Sequence, residues 1–79
     1  MKNLFKLEIL ETNKTLTLEE QNDFRLKFKP LLKIAGIQSL CLEQNELYIE
    51  FDPIMFNKAS FKHILNEMAF PLKLNKILV

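Results

Sequence analysis

Residues Gly36–Pro53, GIQSLCLEQNELYIEFDP, decide the fold. Leu40 and Leu42 alternate with polar neighbours, and after a polar interval Leu47, Ile49 and Phe51 do the same. A period of two marks a half-buried strand, and two such runs joined by a few polar residues read as a hairpin. A turn at Asn45-Glu46, with Gln44 paired to Leu47, sets Leu42 opposite Ile49 and Leu40 opposite Phe51, so the apolar rows coincide. The same register puts Cys41 opposite Glu50 and Glu43 opposite Tyr48 on the other face. Asp52-Pro53 ends the second strand, because proline has no N–H for a ladder.

Upstream of the hairpin, Phe24, Phe28, Leu31, Leu32 and Ala35 recur at helical spacing and supply a buried stripe. Thr17-Leu18-Glu19-Glu20 fits a capping box, in which the Thr17 hydroxyl accepts from the Glu20 amide and the Glu20 carboxylate accepts from the Thr17 amide. Glu19, Glu20 and Asp23 suit the positive end of the helix dipole, and Lys27, Lys29 and Lys33 suit the negative end. Pro30 removes a hydrogen bond inside a helix at a cost of about 3 kcal/mol, which predicts a kink or break near Phe28. Gly36 stands where a left-handed residue is needed to leave the helix. Before the helix, Leu4–Leu10 alternates as a strand, with Phe5, Leu7 and Ile9 assigned to the core and Lys6 and Glu8 to the other face.

Downstream, Asn57 is a predicted N-cap, followed by Phe61, Ile64, Leu65 and Met68 as the apolar stripe of a second helix. Met55 and Phe56 precede it, and are expected to fold back as a staple in which Phe56 meets Phe61. Phe70-Pro71 stops the helix, and Leu72, Leu74 and Ile77 begin a last strand. The resulting order is strand, helix, strand, strand, helix, strand. With right-handed crossovers this gives an α+β, ferredoxin-like βαββαβ sandwich, with a four-stranded antiparallel sheet and two helices on one face.

The 79 residues have material for one core, so residues 1–79 are expected to form one domain. Eleven basic against ten acidic residues leave a net charge of +1, without the basic surplus that binding to nucleic acid or anionic membrane requires. A single cysteine allows no internal disulfide and suits a reducing cytoplasm. No apolar run approaches the ~20 residues of a membrane span, and Glu8 interrupts what would otherwise be an apolar leader. An unprocessed cytoplasmic protein is expected.

Gly36-Ile37, Leu40, Leu42 and Leu47-Tyr48-Ile49-Glu50-Phe51-Asp52-Pro53 resemble the second half of a heavy-metal-associated domain, the copper-chaperone-like module. Met68-Ala69-Phe70 stands where that family's second helix ends, so the resemblance covers roughly residues 24–75. In the family a Met-x-Cys-x-x-Cys motif at the start of helix one holds a soft metal through two thiolates. Counting back from Gly36, the two cysteines would fall near Glu20 and Asp23, and neither is a thiol. The resemblance therefore implies a relative that has lost the CxxC metal site, with no metal and no cofactor. By the same resemblance, docking of a protein partner is expected on Thr12–Asp23.

Individual candidates read similarly. Glu20 and Asp23 could hold a hard cation, but capping already accounts for them and two carboxylates make a weak site. His63 and Glu67 are one turn apart, yet a lone histidine is a poor zinc ligand set. Cys41 beside a carboxylate is not an activated thiol. The open sheet face is expected to carry Lys6, Glu8, Cys41, Glu43, Tyr48, Glu50 and Lys73, without the stacked aromatics of an RNA-binding sheet. No nucleophile–base pair is evident, so no enzymatic activity is expected. The expectation is a non-catalytic protein-interaction module, with homodimerisation through an edge strand or the Ile77-Leu78-Val79 tail as one route. The alternative is a metal-binding or metal-trafficking protein in which Met1, Cys41, His63 or Met55 meet across a dimer.

Overall fold

A computed structural model describes residues 5–73. They form a small α+β domain of three strands and two helices: β1 (Lys6–Glu11), α1 (Leu18–Phe28), a 3₁₀ helix (Lys29–Lys33), β2 (Ile37–Leu42), β3 (Glu46–Phe51) and α2 (Lys58–Glu67). The sheet is antiparallel with order β1-β3-β2. The expected four-stranded sheet is therefore corrected to three strands among the described residues. Of the expected last strand, Leu72 makes an isolated antiparallel bridge to Thr12; Leu74 and Ile77 lie outside the described residues, as does the Ile77-Leu78-Val79 tail.

Helix α1 begins as its sequence dictates. Both halves of the capping box are present: Glu20 N donates to Thr17 Oγ1 at 3.1 Å and Thr17 N donates to Glu20 Oε1 at 2.9 Å. The helix ends at Phe28, and the chain tightens into the 3₁₀ helix with Pro30 in its first turn, where a missing N–H costs nothing. The change of period has a consequence for packing. Three residues per turn keep Phe28 and Leu31 in register and buried while Leu32 rotates outward to solvent, and Ala35 is exposed in the turn beyond the extended Ile34 that ends the helix, both contrary to the 3.6-period stripe. Gly36 follows with φ of +94°, and a Cβ there would lie 2.7 Å from Phe56 N and 2.9 Å from its Cα. Only glycine satisfies both constraints.

The hairpin keeps its predicted faces but not its predicted pairs. Leu42 lies opposite Leu47, Cys41 opposite Tyr48 and Leu40 opposite Ile49, which places the turn at Gln44-Asn45. This is a slip of two positions, which a period of two tolerates without exchanging faces. The turn is fixed from outside the hairpin: Thr12 N donates to Asn45 O and Leu16 N to Gln44 O, both at 2.8 Å, and Asn45 Nδ2 donates to Thr15 Oγ1 at 3.0 Å. A bulge between Ile37 and Ser39 then shifts parity, so that Ile37, opposite Phe51, packs on the core side.

Strand β1 reverses the expected orientation. Lys6, Glu8 and Leu10 pair with Phe51, Ile49 and Leu47 and so share the core face. Leu7 and Ile9 pair with Glu50 and Tyr48 on the opposite face and are 59% and 45% exposed. The inward row is closed by Leu10, which is buried, and by Glu8, whose Oε1 accepts from Lys58 Nζ at 3.2 Å at the start of α2. The core comprises Leu10, Leu42, Leu47 and Ile49 from the sheet, Phe28 and Leu31 after α1, Phe61 and Leu65 from α2, and Leu16 and Phe70 from the loops.

Helix α2 starts where Ser60 N donates to Asn57 Oδ1 at 2.9 Å. The staple forms through Phe56, whose ring lies 5.4 Å from Phe61 and 4.9 Å from Phe51. Met55 takes no part in it and stays exposed. The helix closes in a Schellman motif: Phe70 N donates to Leu65 O at 2.9 Å and Ala69 N to Asn66 O at 3.0 Å, with Ala69 at φ +62°.

Candidate functional site

The residue types that suggested metal chemistry are distributed over separate elements. Glu20 and Asp23 lie on α1, Cys41 on β2 and His63 on α2. Among the described residues no group of three His, Cys, Asp or Glu side chains is placed to hold a metal ion. Glu20 is engaged by the cap, and its Oε2 accepts from Lys14 Nζ at 2.6 Å. The Lys14 hydrogen bond, followed by the Thr17 amide, holds the Glu20 carboxyl below its ordinary value of 4.5. His63 Nε2 lies 3.1 Å from Glu67 Oε2 on the exposed face of α2. Cys41 is exposed; its neighbour is Tyr48, not the expected Glu50, and its thiol donates to Glu43 Oε2 at 3.6 Å.

The first residues of the Thr12–Asp23 surface, on which docking of a partner is expected, are bonded within the domain. Thr12, Thr15 and Leu16 are bonded to the hairpin turn, and Asn13 N donates to Pro71 O at 2.9 Å. These bonds brace the first loop against two other segments. The outer edge of β2 is guarded at one end, because Arg25 Nη2 donates to Leu42 O at 2.9 Å and to Gln21 Oε1 at 3.2 Å. An added strand would have to displace that guanidinium.

Among the described residues, the surface that has no such cover is the open face of the sheet. Its rows follow directly from the strand registers. Ile9, Tyr48 and Cys41 lie side by side across the three strands, and Leu7, Glu50 and Ser39 form the next row. Glu11 and Glu46 pair at the end of β1, with Glu43 beside them, since Glu43 N donates to Glu46 O at 2.8 Å. The result is an apolar strip with one phenol at its centre, flanked by carboxylates. A shallow trough runs over it, lined by Leu7, Cys41, Tyr48, Glu46 and Glu50 among others.

The polar groups of this face are tied to one another. Tyr48 Oη donates to Glu46 Oε1 at 2.6 Å and Ser39 Oγ donates to Glu50 Oε1 at 3.1 Å. Bonding to the Glu46 carboxylate, with a smaller contribution from burial, raises the Tyr48 hydroxyl above its ordinary value of 10.0. Such a face can present apolar area and negative charge to a partner.

The sequence expectation placed Cys41, Glu43, Tyr48 and Glu50 here correctly. It missed Leu7 and Ile9 and wrongly included Lys6 and Glu8. The available signal was Leu10: its even-numbered row continues to the buried Thr12, whereas the row of Leu7 and Ile9 ends at the exposed Glu11. No family model matches the chain, and no curated protein and no solved structure matches it.

Proposed function

We propose that this chain is a non-catalytic protein-interaction module whose docking surface is the open face of its sheet. The observation that carries the reading is the outward orientation of β1, which leaves Leu7 and Ile9 exposed beside Tyr48. Exposed apolar side chains gathered into one patch, with polar residues around it, are the usual mark of a contact surface. The carboxylates around the strip make it unsuitable for the phosphates of nucleic acid or of anionic lipid.

The chain order β1-β3-β2, with Leu72 bridging Thr12, supports a ferredoxin-like arrangement. Together with the Gly36–Pro53 pattern it supports a reading as a thiol-free relative of heavy-metal-associated domains. A single, exposed, unpaired cysteine favours the reducing cytoplasm as its compartment. Among the described residues no helix is long and apolar enough to cross a membrane.

Affinity capture from source cells tests the docking reading when three baits are compared. Proteins retained by the wild type should be lost by Ile9→Asp/Tyr48→Asp and kept by His63→Glu on the exposed face of α2. Equal retention by all three baits would remove the sheet face from consideration.

A further inference from the structure

Ion pairs are unevenly distributed over this protein. Glu8, Glu11, Glu20 and Glu67 each have a cationic or histidine partner within 3.4 Å. Six acids make no ion pair among the described residues: Glu19 and Asp23 on α1 and Asp52 after β3 are spread over the domain, whereas Glu43, Glu46 and Glu50 are gathered on one surface. The carboxylates of these last three accept from neutral groups instead, namely the Cys41 thiol, the Tyr48 phenol and the Ser39 hydroxyl. All three lie on the open face, around the Ile9–Tyr48–Cys41 row. The chain as a whole carries a net charge of +1, so this negative patch is a local arrangement of charge.

We infer that the open face binds a basic amphipathic helix, with lysine or arginine on either side of a short apolar stripe. The inference rests on the docking reading above and adds the chemistry of the partner. Width favours a helix: three strands span about 10 Å between the outer two, close to the ~10 Å diameter of a helix. Length fits as well. Glu46 and Glu50 are separated along β3 by four residues, about 13 Å, and basic residues about eight apart on a helix are separated by about 12 Å. Leucines between them, three or four residues apart, then meet Leu7, Ile9 and Tyr48. Charge complementarity selects the partner's sign, and the apolar strip supplies contact area.

The probes are three synthetic helical peptides without tyrosine or tryptophan, read by amide NMR shifts and by emission of the single tyrosine, Tyr48, in a chain without tryptophan. One has lysines about eight residues apart around a leucine stripe; the second replaces lysine by glutamate; the third keeps lysine and replaces leucine by serine. The lysine–leucine peptide is expected to shift the amides of Ile9, Glu46, Tyr48 and Glu50 and to bind at least about tenfold more tightly than the glutamate peptide, an advantage that shrinks in high salt. Glu43→Gln/Glu46→Gln/Glu50→Gln should abolish that advantage, and Glu67→Gln should leave it intact. If the triple variant fails to melt cooperatively, Glu50→Gln alone serves, with a smaller loss.

Equal binding of the lysine and glutamate peptides at this face would overturn the basic partner and leave the docking surface standing. Equal binding of the serine peptide would also overturn it, reducing the effect to charge alone. Concentration-dependent shifts at the same amides without peptide would make a second copy of the chain the occupant, against the inference. No shift with any peptide would reject it as well, and the capture experiment would then judge the docking surface separately.

Discussion

Tyr48 and Glu46 stand two residues apart on the same face of β3, and the phenol donates to the carboxylate at 2.6 Å. The bond holds the hydroxyl in the middle of the open face and directs its proton at a negative charge. Ionising the phenol would set two anions against each other, so its titration moves above 10.0. As the group's folded-state value is raised, the stability it contributes is fully present below the ordinary value and is lost as pH rises through the folded one. Glu46→Gln should bring the midpoint back towards 10.0. Tyrosinate absorbance reports this without ambiguity, because the chain has one tyrosine. An unchanged midpoint in the variant would show that the bond does not persist in solution.

At the start of α1 the sign is opposite. Glu20 accepts from Lys14 Nζ and from the Thr17 amide, and its carboxyl is held below 4.5. A lowered value means that the stabilisation is present above the ordinary value and is lost as pH falls through the folded one. Lys14→Ala should raise the Glu20 midpoint, measured by carboxyl carbon shifts. Thr17→Ala should in addition cost about 1 kcal/mol in urea denaturation at neutral pH. A Thr17 variant as stable as the wild type would leave the cap without energetic weight.

Two backbone positions make a contrasting pair. Gly36 has φ +94° and lies against the backbone of Phe56, so Gly36→Ala adds both strain and a clash with atoms that cannot turn aside. A loss of about 2–4 kcal/mol is expected. Ala69 has φ +62° at the residue after the α2 cap, where glycine is favoured. Ala69→Gly should relieve about 1 kcal/mol of left-handed strain, less what the freer unfolded chain gains, for a net stabilisation of about 0.5 kcal/mol. Thermal melts of both variants give the signs directly, and a destabilised Ala69→Gly protein would contradict the Schellman geometry.

What the sequence made legible was local. The Thr17 box, the Asn57 cap, the Phe56–Phe61 staple, the break before Pro30 and the left-handed Gly36 each depend on residues close in the chain. What it hid was set at long range. The hairpin turn falls at Gln44-Asn45 because Thr12, Thr15 and Leu16, some thirty residues away, bond to it. Leu32 faces solvent because Pro30 tightens the helix and changes its period. The candidate site was half legible for the same reason: β2 and β3 specify their faces through each other, whereas alternation in β1 leaves open which row turns inward.

That orientation of β1 is itself open to test. If Leu7 and Ile9 face solvent, Leu7→Lys and Ile9→Lys should each change stability by no more than about 0.5 kcal/mol, as ordinary surface substitutions do. Leu10→Ala, at a buried position opposite Leu47, should cost about 2–5 kcal/mol. Glu8→Ala should be milder, because its Lys58 partner is itself partly exposed and such pairs contribute at most about 1 kcal/mol. Were the odd-numbered row buried instead, the order would invert, with the lysine variants unfolding and Leu10→Ala tolerated. Denaturant melts of these four proteins therefore decide whether the strip beside Tyr48 exists in solution, and with it the surface on which a partner would sit.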